Sequence, residues 1–283
     1  MSHPFLDAVQ NHYSDLTRGQ RQVADSLVRN PELLAFSTAL DIGRTAGVSE
    51  STVIRLAYAL GYRSFAEMQG EARQVLSAQR TRYAFSHAAE ELPRGSSVLA
   101  RVMENDARLV RQTLDQTSPE SFERAVSLIV NARHIYVAGA RSSYAVAVFL
   151  AYTLRTLLGR ATLLEVDRIH FMHDLVGLTP EAVLLAIAFP RYTGSTVRIA
   201  EYAGRQNCPI VAITDNIASP LARQSNVVLT AAIDSPAATD SYVGALSLAT
   251  TLLTAAALHH KQEVDRHLSR IEQVYADWNA VHT

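Results

Sequence analysis

The sequence predicts two domains of different class: an all-α N-terminal domain built on a helix-turn-helix, then an α/β domain with a doubly wound, five-stranded parallel sheet. Three observations predict it. Residues 1–80 carry helical periodicity and no convincing strand run. Within them, "LDIGRTAGVSESTVIRL" at 40–56 sets two short helices around a glycine turn. From His134 onward, short apolar β-rich runs alternate with helical segments, the rhythm of right-handed crossovers in a parallel sheet.

Taken in order, "LTRGQRQVADSLVRN" puts Leu16, Val23, Leu27 and Val28 on one helical face, and Asn30-Pro31 stops that helix. Further helices follow through "TALDIGRTA", "ESTVIRLAYAL" and "SFAEMQGEARQVLSAQ". Residues 81–97 lose periodicity and contain "ELPRGSS", which marks a linker. A connecting helix is expected from Val98 to Leu114, and another from Ser118 to Asn131 with Ser118 as N-cap and Pro119 in the first turn. The runs "HIYVAG", "ATLLEV", "AVLLAIAF", "PIVAIT" and "NVVLTA" then read as five strands separated by helical segments of about 10–20 residues. An Ala- and Leu-rich helical region, 242–280, closes the chain. The expected division is 1–80, 81–117 and 118–283.

Composition narrows the function classes. With 283 residues, 48% hydrophobic and 19% charged, the chain can bury sizeable cores and is not disordered. The net charge of −1 gives no global basic field, so any nucleic-acid contact must rest on a local patch. Lys261 is the only lysine, so the cationic charge is almost all arginine. The single cysteine, Cys208, rules out an intrachain disulfide and reads as a buried strand-edge thiol. No secretory signal pattern is evident, and the most apolar run, 246–258, falls short of the ~20 residues a membrane span needs. A soluble, cytoplasmic protein without a membrane partner is expected.

The sharpest local signal is the stretch around Gly47. Gly43 is small enough to let a neighbouring helix approach, and Gly47 suits a turn with positive φ. Ser49 is a good N-cap for the next helix, whose Val53 and Leu56 continue the buried face. Glu50, Ser51, Thr52 and Arg55 are left outward at the helix N-terminus, the end a recognition helix presents to the major groove. Ser49 and Thr52 suit phosphate oxygens, and Ser51 and Arg55 suit base edges. Glu50 either accepts from cytosine or is solvated. Arg44 and Arg63 flank the unit within reach of backbone phosphates. Acidic and basic residues balance over 1–80, eight of each, so affinity would depend on an assembly presenting two such units.

The stretch from "LTRGQRQVADSLVRNPELL" through "AGVSESTVIRL" to "LGYRSFAEM" resembles the N-terminal helix-turn-helix domain of the RpiR family of bacterial transcription regulators. The "NP" and "LGY…F" flanks make the likeness specific. The resemblance implies operator DNA as a partner and a C-terminal sugar isomerase (SIS) domain that senses a ligand. The second half of the chain resembles such a domain.

Three loops should sit at the C-terminal ends of strands, where open α/β sheets bind ligands. The first is "GARSSYAVA", with Gly139 at the strand exit and Ser142 and Ser143 at a helix N-terminus, where anions are favoured. The second is "PRYTGST", with Thr193, Ser195 and Thr196. The third is "TDNIASPLA", which contains Asp215 and reads Ser219-Pro220 as a helix start. The resemblance implies that such hydroxyls and backbone N–H groups bind a sugar phosphate.

The sequence departs from the SIS pattern where a glycine has become Arg141 and a serine Arg191. Arginine forks suit carboxylate and phosphate alike. Each either serves a ligand or pairs with an acid such as Asp174 or Asp215. An anionic small-molecule effector is predicted, a sugar phosphate or a small carboxylic acid. His170 and His173 share a helical face with Asp174, but no third histidine or cysteine completes a metal pattern, so neither metal nor cofactor is expected. The alternative function is a phosphosugar isomerase; Glu165, His170 and His173 are conceivable bases, but none lies in a recognisable motif. A homodimer or homotetramer is expected, associating through the SIS domain and segment 246–258.

Overall fold

A computed structural model describes residues 4–72, 96–235 and 239–278. The chain divides into two compact units, Met1–Glu91 and Leu92–Thr283.

The first unit is helical: α1 (Pro4–His12), α2 (Arg18–Arg29), α3 (Pro31–Phe36), α4 (Ala39–Ala46) and α5 (Glu50–Ala59), with helical backbone again over 65–72. Thr17 and Gln20 form a capping box at the start of α2. Asn30-Pro31 ends α2 as expected, but the chain turns straight into α3, with proline in its first turn. One core joins these helices: Phe5, Leu16, Val23, Leu27, Leu34, Ile42, Val53, Leu56 and Met68 are all buried in it.

In the second unit, α6 (Ser96–Gln116) and α7 (Pro119–Asn131) precede the sheet. The remaining elements are β1 (His134–Gly139), α8 (Tyr144–Leu158), β2 (Ala161–Leu164), α9 (Phe171–Leu175), β3 (Ala182–Ile187), α10 (Gly194–Arg205), β4 (Ile210–Thr214), β5 (Val227–Thr230), α11 (Val243–His259) and α12 (Lys261–Asp277). The five strands are parallel, in the order β2-β1-β3-β4-β5. Ser118 caps α7 by accepting from the Ser121 N–H at 3.3 Å, the cap read from the sequence.

Two helix assignments fail. Between β4 and β5 Ser219 does act as the expected cap, its hydroxyl accepting from the Ala222 N–H at 3.0 Å, but only a 3-10 turn follows, Ala222–Gln224. Between β2 and β3 the crossover helix is just the five-residue α9.

The sheet is covered on both faces, as continuous apolar strand runs require. One face presents Ile135, Val137, Val183, Leu185, Ile187, Val211 and Ile213 to α7, α8 and α11. The other presents smaller side chains to α9 and α10; in particular Ala138, Ala186 and Ala212 stand in register across β1, β3 and β4. The apolar segment 246–258 lies in α11, where Leu248, Leu252 and Leu253 are buried in this unit's own core. Among the described residues, no single helix is long and apolar enough to cross a membrane.

Candidate functional site

The turn between α4 and α5 is built as a helix stop. Gly47 caps α4 with φ 69°, the left-handed conformation that glycine adopts without a Cβ penalty. Val48 N–H donates to the Gly43 carbonyl at 2.8 Å and Gly47 N–H to the Arg44 carbonyl at 3.3 Å, a Schellman pair. A Cβ on Gly43 would lie 2.9 Å from the Val48 carbonyl oxygen, so the close approach is of the turn itself.

At the start of α5, Ser49 occupies the N-cap position, yet its hydroxyl makes no capping bond. It lies 2.9 Å from the hydroxyls of both Ser51 and Thr52, forming a three-hydroxyl cluster. Arg55 folds back on this cluster, donating from Nε to the Ser51 carbonyl at 3.2 Å and from Nη2 to its hydroxyl at 3.4 Å. Arg44, Ser49, Glu50, Ser51 and Arg55 are exposed. Thr52 is half-buried, because its methyl faces α2 at Gly19, where an added Cβ would come within 3.2 Å. Two features differ from the sequence reading. Arg63 is held by Glu67 through its Nε at 3.0 Å and Nη2 at 2.8 Å, so its charge is already partnered. Tyr58, more than half exposed, extends the outward face of Ser51 and Arg55 by one more turn; as an aromatic inside an apolar stretch it gave no polar signal.

In the second unit, Gly139 pairs with Ile187 and Ile187 with Ile213, so β1, β3 and β4 end side by side. The order 2-1-3-4-5 puts the topological switch point between β1 and β3, where such sheets open a crevice. The loops 139–143 and 188–193 flank it.

After β1 the chain makes a 3-10 turn, Arg141–Ser143, and enters α8. A Cβ on Gly139 would lie 2.9 Å from the Ser143 carbonyl oxygen, so only glycine allows this exit. Arg141 and Ser142 are exposed, and Ser143 is buried. After β3, Thr193 is the N-cap of α10 with no side-chain capping bond; Ser195 is half-buried, and Thr196 is buried. The hydroxyls thus separate into Ser142, Thr193 and Ser195 facing outward and Ser143 and Thr196 facing the core.

Both departing arginines adopt left-handed backbone, Arg141 at φ 57° and Arg191 at φ 76°. A non-glycine residue held there costs about 1–2 kcal/mol, and such outliers concentrate at functional sites.

Asp215, at the end of β4, accepts from Tyr192 OH at 2.7 Å, from Asn216 Nδ2 at 2.8 Å and from Thr214 Oγ1 at 3.2 Å. The carboxylate therefore ties the second loop to the third. Tyr242, just before α11, donates its hydroxyl to Ser142 Oγ at 2.7 Å and packs edge-on against Phe189, ring centroids 5.3 Å apart. Neither tie was legible: Tyr242 lies 100 residues from Ser142, and no motif joins them.

Glu165 accepts from Tyr144 OH at 2.6 Å and is ion-paired with Arg168, so it is held as a structural anion. His170 and His173 are exposed, and among the described residues no cluster of His, Cys, Asp and Glu could hold a metal. Cys208 is buried beside β4, and burial pushes its thiol up to about 11.

The comparisons agree with this two-part construction. Residues 4–79 match the helix-turn-helix domain of the rpiR family, and residues 128–255 match the SIS domain. The crystal structure of the sugar isomerase domain of an RpiR transcription factor from Sphaerobacter thermophilus is 32% identical, with a TM-score of 0.60 over 63% of this chain and 99% of that domain. The Vibrio vulnificus NanR protein, solved complexed with ManNAc-6P, has the same fold along the chain: 21% identity and a TM-score of 0.70, covering 97% of this chain and 98% of NanR. An HTH-type transcriptional regulator of Thermotoga maritima is 28% identical over 225 residues, 79% of this chain and 80% of that protein. A helix-turn-helix motif, a doubly wound sheet in the order 2-1-3-4-5, and relatives that are regulators lead to one conclusion: the chain belongs to the RpiR family of transcription regulators, with an N-terminal helix-turn-helix domain and a C-terminal SIS ligand-binding domain.

Proposed function

We propose that this regulator reads operator DNA with the N-terminal end of α5 and senses an anionic small molecule, a sugar phosphate or a small carboxylic acid, at the β1/β3 crevice. The DNA contacts are assigned to Ser49 and Thr52 on phosphates, Ser51 and Arg55 on base edges, and Arg44 and Glu50 at the rim. The effector contacts are assigned to Arg141, Ser142, Arg191, Thr193 and Ser195, with Gly139, Ser143, Thr196 and Asp215 shaping the loops that present them. Residues 1–80 carry the DNA function, 81–117 the link and 118–283 the sensing.

The observation that carries the effector reading is the pair of left-handed arginines on the loops flanking the switch point. A backbone penalty at both positions is retained more readily if the two guanidinium groups serve a ligand. That NanR was solved with ManNAc-6P supports a sugar phosphate for this fold.

Association of two or four copies would set paired recognition helices about one helical turn (~34 Å) or a multiple apart. One face of segment 246–258 is buried in its own core while Leu258 is exposed, and further exposed apolar side chains lie on α6, at Leu99, Met103 and Leu114, and on α8, at Tyr152.

A thermal-shift screen of the full chain tests the effector reading, comparing sugar phosphates, their neutral sugars, and mono- and dicarboxylates. Anionic compounds should raise the melting temperature and their neutral counterparts should not. Equal shifts for charged and neutral members of a pair would remove the reading.

A further inference from the structure

Residues 231–235 and 239–242, which lead to α11, are stitched to α6 at two places along that helix, Thr113 and Asn105–Asp106. Ala232 N–H donates to Thr113 Oγ1 at 3.0 Å, Asn105 Nδ2 to the Asp234 carbonyl at 3.2 Å, and Ser241 Oγ to Asp106 Oδ1 at 2.7 Å. The seam is tight: a Cβ on Gly244 would lie 2.4 Å from Thr113 Oγ1. The very next residue after Ser241 is Tyr242, whose hydroxyl reaches the first crevice loop at Ser142 and whose ring packs on Phe189, two residues before Arg191. Tyr242 therefore touches both loops of the crevice, and its chain neighbour holds α6. From α6 the chain runs back through residues 73–95 to the helix-turn-helix unit.

The direction of the hydrogen bond matters. Tyr242 gives its proton to Ser142 Oγ, which leaves the serine's own proton available for an acceptor in the crevice. An anion accepting that proton polarises the pair and strengthens the bond from Tyr242.

We propose that Tyr242 is a positioning residue that aims the Ser142 hydroxyl at the bound anion and passes occupancy of the crevice, through Ser241 and Asp106, to α6. This rests on the effector reading above. Binding then tightens the hold on α6, and because α6 begins the covalent path to the DNA-binding unit, a change in its order is a change both sites share.

Hydrogen–deuterium exchange on the full chain tests this, with inorganic phosphate as the probe anion. Tyr242→Phe keeps the ring against Phe189 and deletes only the hydroxyl. Without phosphate, it should speed exchange over 231–242 and 96–116 and leave 4–72 unchanged. Unaltered exchange in α6 would overturn the latch, whatever binds. With phosphate, the wild-type protein should gain protection in both crevice loops and in α6. Tyr242→Phe should weaken phosphate binding roughly three- to tenfold, the worth of one hydrogen bond. At saturating phosphate it should protect the loops but not α6. Asp106→Ala, which removes the acceptor of the Ser241 hydroxyl, should lose the protection of α6 and weaken phosphate binding less than Tyr242→Phe does. Protection of α6 that survives both substitutions would overturn the coupling. If phosphate protects neither loop in the wild-type protein, the crevice reading itself fails and the ligand half of the proposal goes with it, while the phosphate-free comparison still decides the latch.

Discussion

At the residue scale, the two arginines Arg141 and Arg191 stand where their backbone disfavours them. Arg141→Gly and Arg191→Gly each remove a left-handed penalty of about 1–2 kcal/mol and add glycine's unfolded-state entropy of about 0.5–1 kcal/mol. Stability should therefore hold or rise by up to about 1.5 kcal/mol in urea unfolding, while affinity for an anionic effector falls tenfold or more, given about 1.5–3 kcal/mol per charge-assisted hydrogen bond. A variant that loses stability and keeps its ligand would mean that the arginine is structural. At the other site, Arg55→Ala should weaken operator binding in fluorescence anisotropy by roughly tenfold and leave effector affinity unchanged. Cys208 offers a check on burial. Its thiol is held neutral up to about 11, so at pH 8 the native protein should resist alkylation that the urea-unfolded chain undergoes within minutes.

At the element scale, the strands and the α4–α5 turn were legible and much of the rest was not, for identifiable reasons. Runs such as "AVLLAIAF" announce strands because both faces of a parallel sheet are buried, and Ala182–Ile187 is buried throughout. Gly47 announces the turn because few other residues adopt its φ cheaply. The short α3 followed a proline that reads equally as a stop or a start, and only packing of Leu34 into the core decides between them. Between β4 and β5 the cap was legible and the helix length was not: Ser219 accepts from the Ala222 N–H as an N-cap does, yet the helical turn stops at Gln224. Within the crevice, the loops themselves were readable, but the ties of Tyr192 to Asp215 and Tyr242 to Ser142 join residues with no shared local pattern. Glycine contacts give an element-scale prediction with an unusual sign. Gly→Ala inside a helix ordinarily stabilises by about 1 kcal/mol, yet Gly43→Ala in α4 drives a Cβ to 2.9 Å from a backbone carbonyl. It should cost about 1–3 kcal/mol and misplace the α5 N-terminus, read as a lowered melting temperature together with lost operator binding.

At the scale of the whole molecule, the balance of charge in residues 1–80 limits what one copy can do on DNA. On the proposed reading, two units on two half-sites together supply the phosphate contacts that tight binding needs. Inserting about five base pairs between half-sites should abolish binding in a gel-shift assay, and inserting about ten should largely restore it. Indifference to that phase would mean that the copies bind independently.

One feature of the sheet reaches further than its place in the core. The row Ala138, Ala186 and Ala212 lies on the face that carries α10, at whose N-terminus stand Thr193 and Ser195, two of the proposed effector contacts. Such small side chains set the thickness of the layer between sheet and helix. Ala186→Val would act as a shim beneath α10, moving the rim of the crevice without altering any group that lines it. Selection for a new effector should recover changes in this hidden row as well as on the loops, since the width of the opening is set from below.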